Sequence, residues 1–567
     1  MTKITKWSVG DFKALARASM DVSPLSVLTG ANSSGKSSVL QSLLLVGQSF
    51  GWGPSVVLNG PLVRLGRPVD VIRRDQKNVE FSFEVNFDAS SPVGVLGEAK
   101  VSIALAADET DNRLIPVAFE VVDSRTGITM FASTSSRMSA VDVNAVLLRA
   151  PGDTTVLRVT TIAGRRAPNR MYVLFSGLMP TSLAVHRDKD SIERTIRTTL
   201  TDYFEAERFP YEALFEVNRL VSRNAFINAH GLSRPDGLPA GANPRWTAKQ
   251  VLALSPEQFE DLLQRAVRKR TLIEWAVFAP ESYRYGYVAA GGRGLEGMVE
   301  ADAAATHELV LEYLGGIGNA ISEFGQEIAY LGPLRDEPRV VHGAWDERVQ
   351  SLPVGAKGEL TAEVLTRRKD DLVQYYNWDG TRTRKSLPGA VADWCRYFGL
   401  GDYIKISDHG KLGRGVELRV NGVFRDLTTI GVGASQLLPV LVAGLSVPRG
   451  STLLVEQPEL HLHPQVQSRL ADFFLRARPD VRFIVETHSE YLITRLRRRV
   501  AEGTVSPGKV QVLFAEQSEG NTNVRRLSLS ELGDFSEWPE GFFDAQDEDS
   551  LGIVRAVAAR LREEAGE

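Results

Sequence analysis

Two groups of residues in this chain have the types and spacing for phosphate and metal chemistry, and they lie near opposite ends of it. Gly30-Ala-Asn-Ser-Ser-Gly35-Lys36-Ser37 satisfies G-x-x-x-x-G-K-[ST] at every fixed position. Gly30 and Gly35 allow backbone N–H groups to turn onto phosphate oxygens. Lys36 can then reach the β- and γ-phosphates, and the Ser37 hydroxyl can ligate Mg²⁺. Asn32, Ser33, Ser34 and Ser38 fill out the loop that would hold the phosphates. Far downstream, Ser451 to Glu456 is an apolar run ending in a carboxylate, followed by Gln457 and Glu459. Ligands sit beyond the carboxyl ends of parallel strands, so Glu456 is expected to face the nucleotide and hold Mg²⁺ through water.

Elements must hold these residues in place. Leu25 to Thr29 reads as a strand and Ser38 to Val46 as a buried helix, so the loop lies in the strand–loop–helix setting its chemistry requires. Arg482 to Ser489 reads as a second apolar strand ending in Thr487-His488-Ser489, where His488 can contact a γ-phosphate or an attacking water. Pro464 to Phe474 reads as the helix between these strands. Thr428 to Gln436 is a small-residue loop opening a helix, Leu437 to Leu445, a second geometry suited to an anion.

Together the motifs resemble the ABC-type ATPase superfamily, and within it the soluble branch of RecF-like, SMC-like and OLD-like heads. By that resemblance Gly30 to Ser38 is the Walker A loop and Glu456 the Walker B acid. His488 is then the switch histidine, and Gly431, Gly433, Ser435 and Gln436 form the signature loop. Asp11-Phe12-Lys13 resembles the N-terminal pattern of these heads. Tyr330 to Arg335, Glu456 to Pro464 and Trp538 to Asp544 occur in the order found in AAA-type, ABC-like ATPases that carry a short C-terminal domain of unknown function. The resemblance covers roughly residues 1–85 and 325–545. It implies ATP as nucleotide and a site completed by the signature loop of a second copy, so that a homodimer or higher oligomer is the working form. It also implies a partner effector protein and a setting in anti-phage defence or DNA maintenance.

One position departs from the pattern. ABC ATPases carry a glutamate after the Walker B acid to activate water, and Gln457 stands here. Glutamine orients water but cannot accept its proton. Either Glu459 supplies the base, or hydrolysis is slow and ATP acts as a switch.

The fold implied is α/β, an ABC-type P-loop ATPase head with a mixed sheet core, an antiparallel β subdomain and a helical insertion. Residues 1–78 carry Walker A. Strand alternation from Val79 to Phe87, Glu98 to Leu105, Pro116 to Val122 and Thr155 to Thr160 marks an antiparallel subdomain over 79–187. Helical spacing over Asp190 to Phe204, Thr247 to Ala276 and Val299 to Phe324 marks an insertion over 188–327. Residues 328–515 return to the core, and 516–567 form an appendage ending in a charged helix.

Bulk properties narrow the classes. A net charge of −4 gives no global basic field for nucleic acid, so DNA binding would need local patches. Arg495 to Arg499 and Arg265 to Arg270 are two such patches, read either as phosphate contacts or as solvated helix faces. A single cysteine, Cys395, excludes a disulfide framework and fits a reducing, cytoplasmic setting. No signal-peptide architecture or membrane-length apolar run is present, so no membrane association is expected. Asp547 and Asp549 have the D-x-D spacing of a nuclease metal site but follow no apolar strand, which favours an acidic surface loop. His461 and His463 lack Cys or acidic partners at metal-ligand spacing and are expected in a subunit-contacting loop. Trp538 to Phe543 is expected to pack the tail onto the core.

Overall fold

The computed structural model describes residues 3–51, 55–87, 97–108, 110–123, 129–134, 154–162, 165–187, 272–277, 301–337, 352–409, 413–518, 520–539, 542, 549, 551–557 and 560. These divide into two compact units. The unit holding residues 4–84, 104–115 and 322–567 contains every motif residue named above.

Its sheet is built from β1 (Lys3–Phe12), β2 (Leu15–Asp21), β3 (Leu25–Gly30), β4 (Asn78–Asn86), β5 (Ile328–Leu331), β6 (Thr452–Glu456), β7 (Arg482–Glu486), β8 (Val510–Ser518) and β9 (Asn521–Leu527), in the order β4-β1-β2-β9-β8-β3-β7-β6-β5. β5, β6, β7, β3 and β8 run parallel. β1 and β2 are antiparallel, as are β8 and β9. β3 and β6 are nearly continuous runs of buried residues, as strands covered on both faces must be. The strand ending in the phosphate loop therefore lies between two strands from the far end of the chain.

Four helices bear on the site: α1 (Lys36–Gly51), α2 (Val432–Ser446), α3 (Pro464–Arg476) and α4 (Glu490–Ala501). α1 begins at Lys36, two residues before the sequence-based start, because Ser38 and Val39 N–H both bond back to Gly35 O. α2 begins at Val432, five residues before the expected Leu437, and is buried from Ala434 to Ser446. Pro439 lies inside α2, and Gly444 allows Phe473 of α3 to close on it, since a Cβ there would sit 2.8 Å from Phe473.

The second unit consists of residues 1–3, 85–103 and 116–321. Its strands, from Glu98–Asp108 and Arg113–Asp123 through Thr129–Ser133, Thr154–Ile162, Arg165–Ser176 and Met179–Arg187 to Leu272–Val277, neighbour one another in chain order as an antiparallel meander. The alternation expected over 79–187 is present, with Thr129–Ser133, Arg165–Ser176 and Met179–Arg187 in addition.

Two expectations are corrected here. Leu272–Val277 is a strand paired with Met179–Arg187, where helical spacing had been read to Ala276. A run of β-branched and aromatic residues at the end of that window prefers the pleat. The stretch 516–567 is not simply an appendage, because β9 is inserted between β2 and β8 in the central sheet. Helix Ala301–Gln326 matches the last helix expected in the insertion. The helices expected over Asp190 to Phe204 and Thr247 to Arg270 lie outside the described residues, as do Arg265 to Arg270, Asp544, Asp547 and Glu548.

Candidate nucleotide and metal site

The phosphate loop is shaped by backbone that only glycine adopts freely. Gly30 has φ +141° and a Cβ there would meet Ala515 O at 2.2 Å. Gly35 has φ +94° and a Cβ would meet Thr522 Oγ1 at 2.6 Å. Ser33 is also left-handed at φ +60°. β8 and β9 thus press directly on the loop. Lys36 is buried, and its Nζ donates to Gly30 O at 3.1 Å and Ala31 O at 2.7 Å. Burial lowers its pKa, opposed by the charge of Glu486. Ser34 Oγ is buried with no hydrogen-bond partner, an orphaned donor inside the loop.

Ser37 Oγ reaches a carboxylate that sequence reading missed. It donates to Glu486, with Oε1 at 3.3 Å and Oε2 at 3.2 Å. Glu486 ends β7, in register with Glu456 at the end of β6. Both are buried. Burial, and next the charge of Glu456, push the Glu486 carboxyl up to about 7 against the pull of Lys36 and Ser37. The signal was available: Glu486 directly precedes Thr487-His488, at the same strand end.

Glu456 is held from the other side. Tyr330 at the end of β5 donates its hydroxyl to Glu456 Oε1 at 2.7 Å, and Arg335 Nη1 donates to Glu456 O at 3.0 Å and to Gly332 O. Arg335 is buried with Nε and Nη2 lacking partners. Burial raises the Glu456 carboxyl, while Tyr330 and Arg335 pull it back. The Tyr330 to Arg335 motif therefore positions Glu456.

Gln457 takes φ +44° and its N–H donates to Glu486 O at 2.8 Å, tying the two strand ends together. Glu459 is buried. Its Oε1 accepts from His488 N–H at 2.7 Å, and its Oε2 has no partner. Burial raises its pKa. The imidazole of His488 is exposed, and its pKa is lowered by partial burial and by Lys36. Thr487 N–H bonds to Leu28 O, which docks the switch turn onto β3.

The signature loop presents a different face from the one its sequence suggested. Gly431 and Val432 are exposed, whereas Ser435 and Gln436 are buried in their own chain, with Ser435 Oγ donating to Val432 O at 2.7 Å. Gly433 allows a close approach to His461 O, which a Cβ would meet at 3.1 Å. His461 is left-handed at φ +61°, and His463 caps α3 by accepting from Gln465 N–H. These two histidines shape a turn, and among the described residues no group of three His, Cys, Asp or Glu is placed to hold a metal.

The oxygen donors gathered here, Ser37 with Glu456 and Glu486, suit a hard cation such as Mg²⁺. Lys36, the turned loop and the N-terminus of α1 suit polyphosphate. When bound, the cation would neutralise phosphate charge and polarise the terminal phosphoryl group.

Comparison with known proteins agrees with this geometry. Residues 25–103 and 412–494 match the family described as AAA domain, putative AbiEii toxin, Type IV TA system. Residues 505–551 match a family of proteins of unknown function, DUF3696. No curated protein matches significantly. Among solved structures, the chain is similar to the Smc head domain from Pyrococcus furiosus bound to the C-terminal domain of ScpA, at 13% identity and TM-score 0.35 over 98% of this chain and 100% of that one. It is also similar to the SMC head domain from Thermotoga maritima, at 8% identity and TM-score 0.32 over 93% and 100%. The chain is thus similar to an AAA-type ATPase domain over residues 25–103 and 412–494, and to a family of unknown function over residues 505–551.

Proposed function

We propose that this protein binds ATP with Mg²⁺, pairs as a homodimer or higher oligomer through its signature loops, hydrolyses ATP slowly, and passes its nucleotide state to a partner effector protein. The observation that carries the reading is the convergence of Lys36, Ser37, Glu456, Glu486 and His488, from both ends of the chain, on one strand-end face. Lys36 and the loop amides hold phosphates; Ser37 and the strand-end carboxylates hold the cation. Glu459, with one free carboxylate oxygen and a raised pKa, is the base best suited to an attacking water. Gln457 and His488 orient that water and the γ-phosphate. The family description, which names a toxin of a toxin–antitoxin system, supports a partner-controlling role in defence. Gln457 also favours a second reading, in which ATP is bound and barely turned over.

The deciding experiment is ATP hydrolysis by the purified protein, alone and with duplex DNA, with Lys36→Ala as the blank. Turnover absent in Lys36→Ala and in Glu459→Gln supports the enzyme. A rise of about tenfold or more in Gln457→Glu shows that the missing carboxylate limits the rate. Tight ATP binding with no turnover in any of these proteins supports the switch. Wild-type protein that binds no ATP sinks both readings.

A further inference from the structure

Arg335 is a buried cation held along one edge only. Its Nη1 donates to Gly332 O and, at 3.0 Å, to Glu456 O, while Nε and Nη2 find no partner among the described residues. Those two nitrogens form a planar edge that can receive both oxygens of a carboxylate. Leaving buried donors unanswered is costly, so an acceptor is expected to meet them. Glu459, in the turn that follows Glu456, has the complementary deficit. It is buried, its Oε1 accepts from His488 N–H at 2.7 Å, and its Oε2 finds no partner among the described residues. The carbonyl that Arg335 grips leads directly into that turn, which Leu460 N–H closes onto Gln457 O and Leu462 N–H onto Glu459 O. The charges of Arg335 and Glu459 act on one another. Glu456 competes less well for the open edge, because Tyr330 already donates to its Oε1 at 2.7 Å.

We propose that Arg335 is a positioning residue for the base. With nucleotide bound, its Nε–Nη2 edge anchors Glu459 Oε2, directly or through one ordered water, and fixes the carboxylate against the switch turn. A carboxylate tied by one oxygen pivots about that bond, and tied by both it keeps a single aim. Each carboxylate oxygen carries two lone pairs, so Oε2 held by Arg335 still accepts a proton from water. The Tyr330 to Arg335 segment then serves both acids, with Tyr330 on Glu456 and Arg335 on Glu459. The inference rests on the reading of Glu459 as the base.

The test is steady-state ATP hydrolysis by Arg335→Gln and Arg335→Lys in the otherwise unchanged chain. Beside it stand ATP affinity measured without turnover and the Mg²⁺ concentration that gives half the maximal rate. Arg335→Gln is expected to lower kcat about tenfold or more. Its ATP affinity and Mg²⁺ requirement are expected to stay within about threefold of wild type. Arg335→Lys keeps the charge but lacks the paired edge, and its kcat is expected to fall between the two. In a Glu459→Asp background, whose shorter side chain already draws back from the anchor, Arg335→Gln is expected to cost about threefold or less. A raised Mg²⁺ requirement with kcat kept, or an equal loss of kcat in both backgrounds, shows that Arg335 only props Glu456 and overturns the inference. Arg335→Gln with wild-type kcat overturns it too, while the base reading stands if Glu459→Gln has lost turnover. Full turnover in Glu459→Gln, or none in wild type, overturns the base reading and this inference together. Melting curves report folding. Should Arg335→Gln fail to fold, Arg335→Lys carries the test, and wild-type kcat or a failure to fold in that protein overturns the inference.

Discussion

Single residues in this protein are held by unequal bargains between burial and charge. Asp480 illustrates one that favours stability. Burial opposes its charge, but Arg478 Nε and Nη2 clasp it at 2.8 and 3.0 Å, and its pKa ends below the ordinary value. The same guanidinium donates to Leu445 O and Val447 O, fastening the end of α2. An acid with a depressed folded-state pKa stabilises above its unfolded value and loses that contribution as pH falls through the folded one. Asp480→Asn is expected to melt below wild type above about pH 5, with the gap closing at pH values under about 4. Melting curves across pH 3 to 7 check this; a gap of constant size would show that packing and not charge is responsible.

Legibility at this scale was uneven. The candidate phosphate loop and Glu456 could be picked out directly, since a local pattern marks them. Glu486 was missed although it directly precedes Thr487-His488, because its place beside Ser37, 449 positions away in sequence, shows only in the fold. Ser435 and Gln436 were expected, from the family resemblance, to close the site of a second copy; the helix starts earlier than expected and both are buried in their own chain.

At the scale of elements, the basic run on α4 shows how composition misleads. Arg495 to Arg499 was open to reading as a phosphate-binding stripe or a solvated face. In the structure Arg495 and Arg499 both pair with Asp472 of α3, which is fully buried and also accepts from Tyr397. Arg497 pairs with Asp534 and lies over Trp538, and Arg498 pairs with Glu502. The run holds α3 to α4 and both to the aromatic cluster of Phe514, Phe535, Trp538 and Phe542. That cluster packs the tail onto the core as its composition suggested. Removing the charge of Asp472 leaves Arg495 without its anion and Arg499 with Glu502 alone. Asp472→Asn is therefore expected to cost about 3 kcal/mol. Chemical denaturation would measure it, and a cost under about 0.5 kcal/mol would show the pairing to be incidental.

For the whole molecule, the proposed pairing of two copies would bear on the exposed N-terminus of α2. Val432 is half exposed there, beside Gly431, which has open space around it. If nucleotide closes two heads across this loop, Val432→Arg should keep ATP affinity within about twofold yet remain a monomer with ATP bound, since a buried unpaired charge at an interface is costly. Light scattering after size exclusion, with ATP and Mg²⁺ present, reads this directly. A Val432→Arg protein that still dimerises would move the interface elsewhere. The α/β class and the pairing of the chain's ends into one sheet were legible from motif order alone. The place of β9 inside that sheet was not, because an edge strand and an inner strand of this length look alike in sequence.

The position of β3 between β7 and β8 also governs how the protein is made. A ribosome emits the phosphate loop early, yet the strands that flank it appear only after more than 440 further residues. At ordinary elongation speeds that is a wait on the order of tens of seconds. During that interval β3 is an apolar segment with both edges unpaired, and it invites a chaperone. A nascent or truncated chain that stops before Val510 has no wall behind Gly30 and Gly35, so it holds no finished nucleotide cradle. Translation must pass Thr522 before the cradle around Gly30 and Gly35 is complete.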